Sequence, residues 1–430
     1  MTIVVFLGAL LGAMALGMPI AYALLVSGAA LMLHLDMFDA QILAQNVING
    51  ADSFPLLAVP FFMLAGEIMN VGGLSRRIVK LALTLVGHVR GGLGFVTILA
   101  AVMMAALSGS AVADTAALAT LLLPMMARAG HDKARAGGLI ASAGIIAPVI
   151  PPSIGFVIFG VAANVSISKL FLAGIFPGLL MGVAIAVTWF FVAKRENITP
   201  PPKASTAEKL KALRQSTWAL FLPVIVLVGM KMGVFTPTEA AVVAAVYALF
   251  VAVVIYREMT LAQLLPVFVN AAKTTAVIMF LVAAAMVSAW LITVAQLPAQ
   301  LVSLLQPFLD NQTLLLIVIM LLVIAVGTAM DMTPTILILT PVLMPVVKAA
   351  GIDPVYFGVL FIINNAIGLI TPPVGTVLNV VAGIGRMKMD DVTRGVLPFM
   401  AAQLVVLFLL VLFPQLVMWP LKLFYHFVIA

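Results

Sequence analysis

Residues 124–177 recur without a gap 221 positions later. Pro124 pairs with Pro345 (345 − 124), Gly130 with Gly351, Asp132 with Asp353, Gly137 with Gly358, Pro151 and Pro152 with Pro372 and Pro373, Gly174 with Gly395, and Pro177 with Pro398. Proline fixes φ and deletes a donor, and glycine permits turns and close approach, so matched prolines and glycines are instructions to the backbone. Two halves that share them share a chain path, and a repeat sets the architecture before any single element does. The repeat also contains the oddest local stretch, IAPVIPPSIGF at 146–156, which puts three prolines inside an otherwise apolar run.

The setting is a membrane. Of 430 residues, 64% are hydrophobic and 9% charged, which no water-soluble domain presents to solvent without aggregating. Apolar runs near the roughly 20 residues needed to cross a bilayer recur from end to end, so the spans are helical. The net charge of +7 sits in short loops between those runs, where it orients a membrane protein and does not mark a nucleic-acid partner. There is no cysteine, which removes disulfides, thiolate metal sites and cysteine nucleophiles. His34, His88, His131 and His426 are scattered, are read as interfacial and form no metal pattern.

Loop charges orient the halves. Segment 71–80 carries Arg76, Arg77 and Lys80, and its equivalent 292–301 carries no positive charge. Loop 128–135 has Arg128, Lys133 and Arg135, against none from its counterpart 349–356. Beyond the paired prolines the bias reverses: 164–174 holds only Lys169, whereas 385–395 holds Arg386, Lys388 and Arg394. Equivalent loops therefore lie on opposite faces, the signature of an inverted-topology repeat and of secondary transporters. The expected division is a first repeat at 1–193, a cytoplasmic linker at 194–216 and a second repeat at 217–430. No Lys or Arg precedes the first apolar core, so 2–17 reads as a span with the N-terminus outside, and the C-terminus is expected on the same periplasmic side.

Both basic segments flanking 91–127 read as cytoplasmic, yet its two arms are short for spans and meet at Ser108-Gly109-Ser110. A re-entrant hairpin satisfies both observations, and 313–347 repeats it with a tip at 327–335. Irregular backbone at that depth must be buried in protein or line a cavity, because lipid cannot satisfy its amides. Crossing count assigns spans to 2–17, 19–35, 54–70, 138–163 and 171–193, with 71–90 as an amphipathic surface helix; the second half supplies 217–234, 239–256, 274–294, 357–383 and 396–425. The expected fold is thus an all-α polytopic membrane protein with two re-entrant helical hairpins and two broken helices, 138–163 and 357–383.

SGSAVADTAALATLLLPMMARAG, IAPVIPPSIGFVIFG, GVFTPTEAAVVAAVYAL and GLITPPVGTVLNVVAG resemble the large membrane subunit of TRAP (tripartite ATP-independent periplasmic) transporters over essentially the whole chain. The resemblance implies sodium-coupled import of an organic acid across the bacterial inner membrane. It further implies delivery by a periplasmic substrate-binding protein, a separate small membrane subunit, and an elevator mechanism.

Residue by residue, Pro148, Pro151 and Pro152 free carbonyls of the preceding turn, and such carbonyls are hard oxygen ligands for a small cation. A first sodium site is expected from Ser108, Gly109 and Ser110 facing Gly144, Ala147, Ile150 and Pro151. The repeat predicts a second from Gly327, Thr328 and Met330 facing Thr371, Pro372, Gly375 and Thr376. Sodium is a coupling ion here, and no cofactor is expected. Asp114 and Asp331 are the ionisable residues nearest the tips; they either balance cation charge or cap a hairpin helix. Ser153, Asn364, Asn365 and Arg128 are substrate candidates, with helix–helix hydrogen bonding the alternative for the asparagines. Two other functions share these features: a self-sufficient sodium–dicarboxylate symporter, and an intramembrane aspartyl protease using Asp114 and Asp331.

Overall fold

The computed structural model describes residues 2–194, 196, 198 and 200–426; the expected termini at Met1 and 427–430, and linker positions 195, 197 and 199, lie outside them. Regular structure among the described residues is entirely helical. The first half runs α1 (Thr2–Ala15), α2 (Ile20–His34), α3 (Ala40–Ala51), a 3₁₀ turn (Phe54–Leu57), α4 (Ala58–Val71), α5 (Leu74–Val86), α6 (Gly92–Ser108), α7 (Ala111–Arg128), α8 (Lys133–Gly144), α9 (Ile154–Ala163) and α10 (Ile167–Ala193). The second half runs α11 (Thr206–Lys231), α12 (Pro237–Phe250) with a π-turn (Val251–Ile255), α13 (Leu261–Val294), α14 (Leu297–Leu304), α15 (Gln306–Leu309), α16 (Gln312–Gly327), α17 (Met332–Ala349), α18 (Pro354–Gly368), α19 (Thr376–Gly385), α20 (Met389–Leu412) and α21 (Gln415–His426). Among the described residues, eight helices are long and apolar enough to cross a membrane.

The sequence repeat is a repeat of helices. α7 and α17 begin and end 221 residues apart (332 − 111 and 349 − 128), and α8 to α10 are followed at nearly the same offset by α18 to α20. The matched Asp132 and Asp353 explain why: Asp132 accepts the Arg135 amide at 2.8 Å and Asp353 the Val355 and Tyr356 amides at 2.8 and 3.0 Å, so each starts its helix. Packing between the halves is reciprocal. α7 lies on α19 as α17 lies on α9, and α20 lies on α8 as α10 lies on α18, the exchange that a twofold relation between repeats demands. At the α8–α20 crossing a Cβ on Gly138 would stand 2.1 Å from the backbone of Gly395, so the helices touch main chain to main chain. Aromatic side chains fill the centre, with Phe159, Phe357 and Phe361 fully buried and Phe357 stacked on Phe361 at 5.5 Å.

Around this centre packs a second group, in which α2, α3 and α4 lie on α13, α4 on α12, and α11 on α5 and α12. The arms α6 and α17 are the main faces between the groups, since α6 touches α5 and α4 while α17 touches α13 and α14. The surface helix α5 buries Leu74, Ile78, Leu81 and Ala82 and turns Arg76 and Lys80 outward, and Arg76 and Arg77 pair with Glu258 at 2.6 and 2.7 Å.

Several boundaries differ from the reading of the sequence, each for a local reason. The linker 194–216 ends early: Ser205 and Glu208 form a capping box, and α11 is already helical from Thr206. The span 396–425 is two helices, α20 and α21, parted at Phe413 and Pro414, where the proline offers no amide to the Leu410 carbonyl and the Tyr356 hydroxyl serves it instead at 2.8 Å. The first broken helix starts at Lys133, not 138. The span 54–70 is a 3₁₀ turn plus α4, preceded by α3, where the second half has the single helix α13. Pro55 breaks the first copy and its equivalent, Ala276, leaves the second whole (276 − 55 = 221). His131, read as interfacial, is buried, its Nδ1 2.6 Å from Glu196 Oε2 and its ring tilted against that of Trp189, 5.6 Å between centroids; the His426 side chain lies outside the described ones.

Candidate functional site

Each hairpin tip lies on the break of a helix in its own half. α6 ends at Ser108, Gly109 takes φ +62°, and α7 starts after Ser110, whose Oγ accepts the Ala113 amide at 3.4 Å. A Cβ on Gly109 would lie 2.2 Å from the Pro152 carbonyl oxygen, so the tip rests directly on the break between α8 and α9. At Gly144, the last residue of α8, a Cβ would lie 1.8 Å from Thr115 Oγ1. Side-chain deletion at these two glycines is what lets the elements meet.

The break itself, 145–153, is buried throughout. Proline removes the amides that would have satisfied the preceding turn, and among the described residues the carbonyls of Ala147, Ile150 and Pro151 accept no hydrogen bond. The Gly144 carbonyl does accept one, from Ala147 at 3.2 Å. Facing this segment, Ser108 Oγ donates to Asp114 Oδ1 at 2.5 Å, and Asp114 is 1% exposed. Asp114 Oδ2, Thr115 Oγ1 and Ser142 Oγ are buried without a partner. A carboxylate oxygen buried without a partner costs several kcal/mol unless a cation or proton joins it. The capping alternative for Asp114 is not what the structure adopts, because Ser110 holds the cap.

The second tip repeats the contact with different chemistry. Gly327 packs on Gly368, a Cβ on either standing 3.1–3.3 Å from the other's backbone, and the Val374 amide reaches the Thr328 carbonyl at 3.4 Å. Asp331 occupies the cap position of α17 without a capping bond, and its Oδ1 accepts from Thr376 Oγ1 at 3.0 Å. Thr328 and Thr371 turn their hydroxyls back onto the carbonyls of Ala325 and Ile367, at 2.7 and 2.8 Å. Among the described residues, the carbonyls of Met330, Thr371 and Pro372 accept no hydrogen bond. Pro373 and Val374 are exposed here, so this break is open where the first is sealed.

Sequence reasoning missed how the acids are exchanged. Asp331 stands at the position of Ser110 (331 − 110 = 221), and Thr335 at that of Asp114 (335 − 114 = 221). Each tip thus has one carboxylate and one hydroxyl in swapped places, a signal visible in the aligned halves. The two carboxylates bond to separate hydroxyls and not to each other, which removes the shared-proton pair an aspartyl protease needs.

The substrate candidates divide. Ser153 is fully buried, caps α9 through the Phe156 amide at 3.1 Å and donates to the Pro148 carbonyl at 2.5 Å. Asn364 ties α18 to α16 through the Met320 carbonyl at 2.8 Å, and Asn365 bonds the Phe361 carbonyl at 2.7 Å; both leave Oδ1 buried and unpartnered. Arg128 is not brought to the tip: it is exposed at the far end of α7, 17 residues beyond Ala111, or about 26 Å along the helix.

Comparison with known proteins agrees with this architecture. The family described as "Tripartite ATP-independent periplasmic transporter, DctM component" matches residues 7–416. The 2,3-diketo-L-gulonate TRAP transporter large permease protein YiaN of Escherichia coli is 61% identical over 422 residues, covering 98% of this chain and 99% of its own. The sialic acid TRAP transporter large permease protein SiaM of Vibrio cholerae is 41% identical over 405 residues, with 94% and 95% covered. Among solved structures the YdaH transporter of Alcanivorax borkumensis superposes with a TM-score of 0.64 over 90% of this chain and 91% of that one, at 16% identity, a likeness of fold alone. The chain belongs to the DctM family, the large permease subunits of tripartite ATP-independent periplasmic transporters.

Proposed function

We propose that this permease imports an organic acid, of the sugar-acid kind named for its 61% identical relative, by sodium-coupled elevator transport across the bacterial inner membrane, with both termini periplasmic. The observation that carries the reading is the pairing of each hairpin tip with a broken helix, with free carbonyls and a carboxylate at both. Sodium is hard, small and satisfied by such oxygens, whereas a divalent ion asks for more carboxylate charge than one per tip.

The elevator reading draws on packing. One group of helices carries both tips and both breaks, and it meets the α2–α4, α11–α13 group mainly through the arms α6 and α17. No Arg or Lys lies in the hairpins short of Arg128, so the substrate's negative charge is met by helix N-termini, hydroxyls and sodium. A periplasmic binding protein supplies the substrate and a separate small membrane subunit completes the permease. The test is reconstitution in proteoliposomes. Uptake of labelled sugar acid is expected only with binding protein, small subunit and an inward sodium gradient together; uptake by this chain alone would move the assignment to a self-sufficient symporter.

A further inference from the structure

A basic cleft is lined by none of the tip or break residues. It lies between the surface helix α5 and the base of α11, measures about 510 Å³, and is lined by Lys80, His88, Lys203 and Lys211. Its one carboxylate, Glu208, is committed to the helix start, accepting from the Ser205 amide and hydroxyl at 2.7 and 3.0 Å. Among the described residues Lys203 and Lys211 have no side-chain partner, and Lys80 meets only the neutral Gln215, at 3.2 Å. His88 Nδ1 is buried with nothing bound to it. An adjoining cleft of about 410 Å³ shares Lys211 and adds Arg214 and the exposed Trp218.

Ammonium groups gathered in a concavity without a counterion repel one another and concentrate anions there. We propose that this cleft binds the phosphate of an anionic phospholipid, which bridges α5 to the start of α11. Placement selects a lipid as the source. α5 packs its apolar face on α6 and α11 and turns Arg76 and Lys80 outward, so its basic side faces the cleft's surroundings and not the core. Leu83 and Ala212 give the cleft an apolar floor for the upper acyl chain, and tryptophans such as Trp218 favour headgroup depth. The basic excess of 71–80 and of the linker puts that surface on the cytoplasmic side, where basic pockets between helices take lipid headgroups. The bridged segment matters because 194–205 is the tether between the helix group carrying the tips and the group it packs against.

The test uses the permease complex with its small subunit in detergent, titrated separately with short-chain phosphatidylglycerol, short-chain phosphatidylcholine and inorganic phosphate, and read by native mass spectrometry. Saturable binding of phosphatidylglycerol and none of phosphatidylcholine is expected. Lys211→Gln should weaken it about fivefold, and the combined Lys80→Gln, Lys203→Gln and Lys211→Gln variant about a hundredfold. The three Lys→Arg changes should retain it. Phosphate binding as tightly as the lipid would make the free ion the ligand and overturn the lipid assignment. Equal binding of both lipids, or wild-type affinity in the folded Gln variant, would overturn the site. Should the triple variant not fold, a photoactivatable phosphatidylglycerol on the wild-type complex decides: cross-links at 80–88 and 203–214 support the cleft, and cross-links only elsewhere refute it.

Discussion

Gly109→Ala tests whether the tip must sit on the break. Gly109 has φ +62°, and a Cβ there would stand 2.2 Å from the Pro152 carbonyl oxygen, 0.8 Å inside the 3.0 Å limit that real Cβ atoms observe (3.0 − 2.2). The left-handed conformation costs an alanine about 1–2 kcal/mol. The obstacle is main chain in a fully buried segment, so relief requires the tip to lift, and forcing atoms into packed interior costs about 1–3 kcal/mol more. The sum, about 2–5 kcal/mol, lowers the equilibrium constant for seating the tip on the break by at least about thirtyfold. Two control glycines separate the terms. Gly233 has φ +71° with nothing within 4 Å, so Gly233→Ala carries only the conformational cost, and Gly12 has neither a positive φ nor a neighbour. Sodium-driven uptake in proteoliposomes, scaled to folded protein, should fall for Gly109→Ala by up to about that factor and stay near wild type for both controls. Wild-type uptake by Gly109→Ala would refute the tip-on-break contact as a working part.

Three further outcomes follow from the geometry. Ser153→Ala removes the α9 cap and should cost about 1 kcal/mol in thermal unfolding while leaving the KM for substrate unchanged; a raised KM would show that Ser153 also serves the substrate. Arg128→Gln should leave the KM for substrate unaltered, because the side chain is a helix-length from the tip; a tenfold rise would put it in the substrate path. Asp331→Asn and Thr376→Val remove the two ends of one 3.0 Å bond, so their effects on sodium-dependent stability should be less than additive in the double variant, and strict additivity would show that the bond carries nothing.

How much of this is legible in sequence depends on whether a feature is local or made by contact. The repeat, the two Pro-Pro breaks and the Ser108-Gly109-Ser110 turn are backbone chemistry and can be read directly. Ser205-x-x-Glu208 was equally local, a capping box in a stretch whose polarity disguised a helix start as linker. Pro414 was the same kind of signal, hidden because the flanking apolar runs add up to one span's length. Contact chemistry could not be read. Nothing in the order of residues says that Gly109 meets Pro152, that Gly144 makes room for Thr115, or that Ser153 is spent on a cap. Arg128 looked near the hairpin because it is near in sequence, whereas a helix carries it about 26 Å away.

The proposed function requires each tip and break to hold sodium together. Thermal unfolding of the permease complex in matched NaCl and KCl measures this most directly, on the wild type, Asp114→Asn and Thr376→Val. A rise in midpoint with sodium and not potassium is expected, reduced in each variant although each folds in potassium as the wild type does. Equal stabilisation by both cations, or an undiminished sodium increment in both variants, would contradict it.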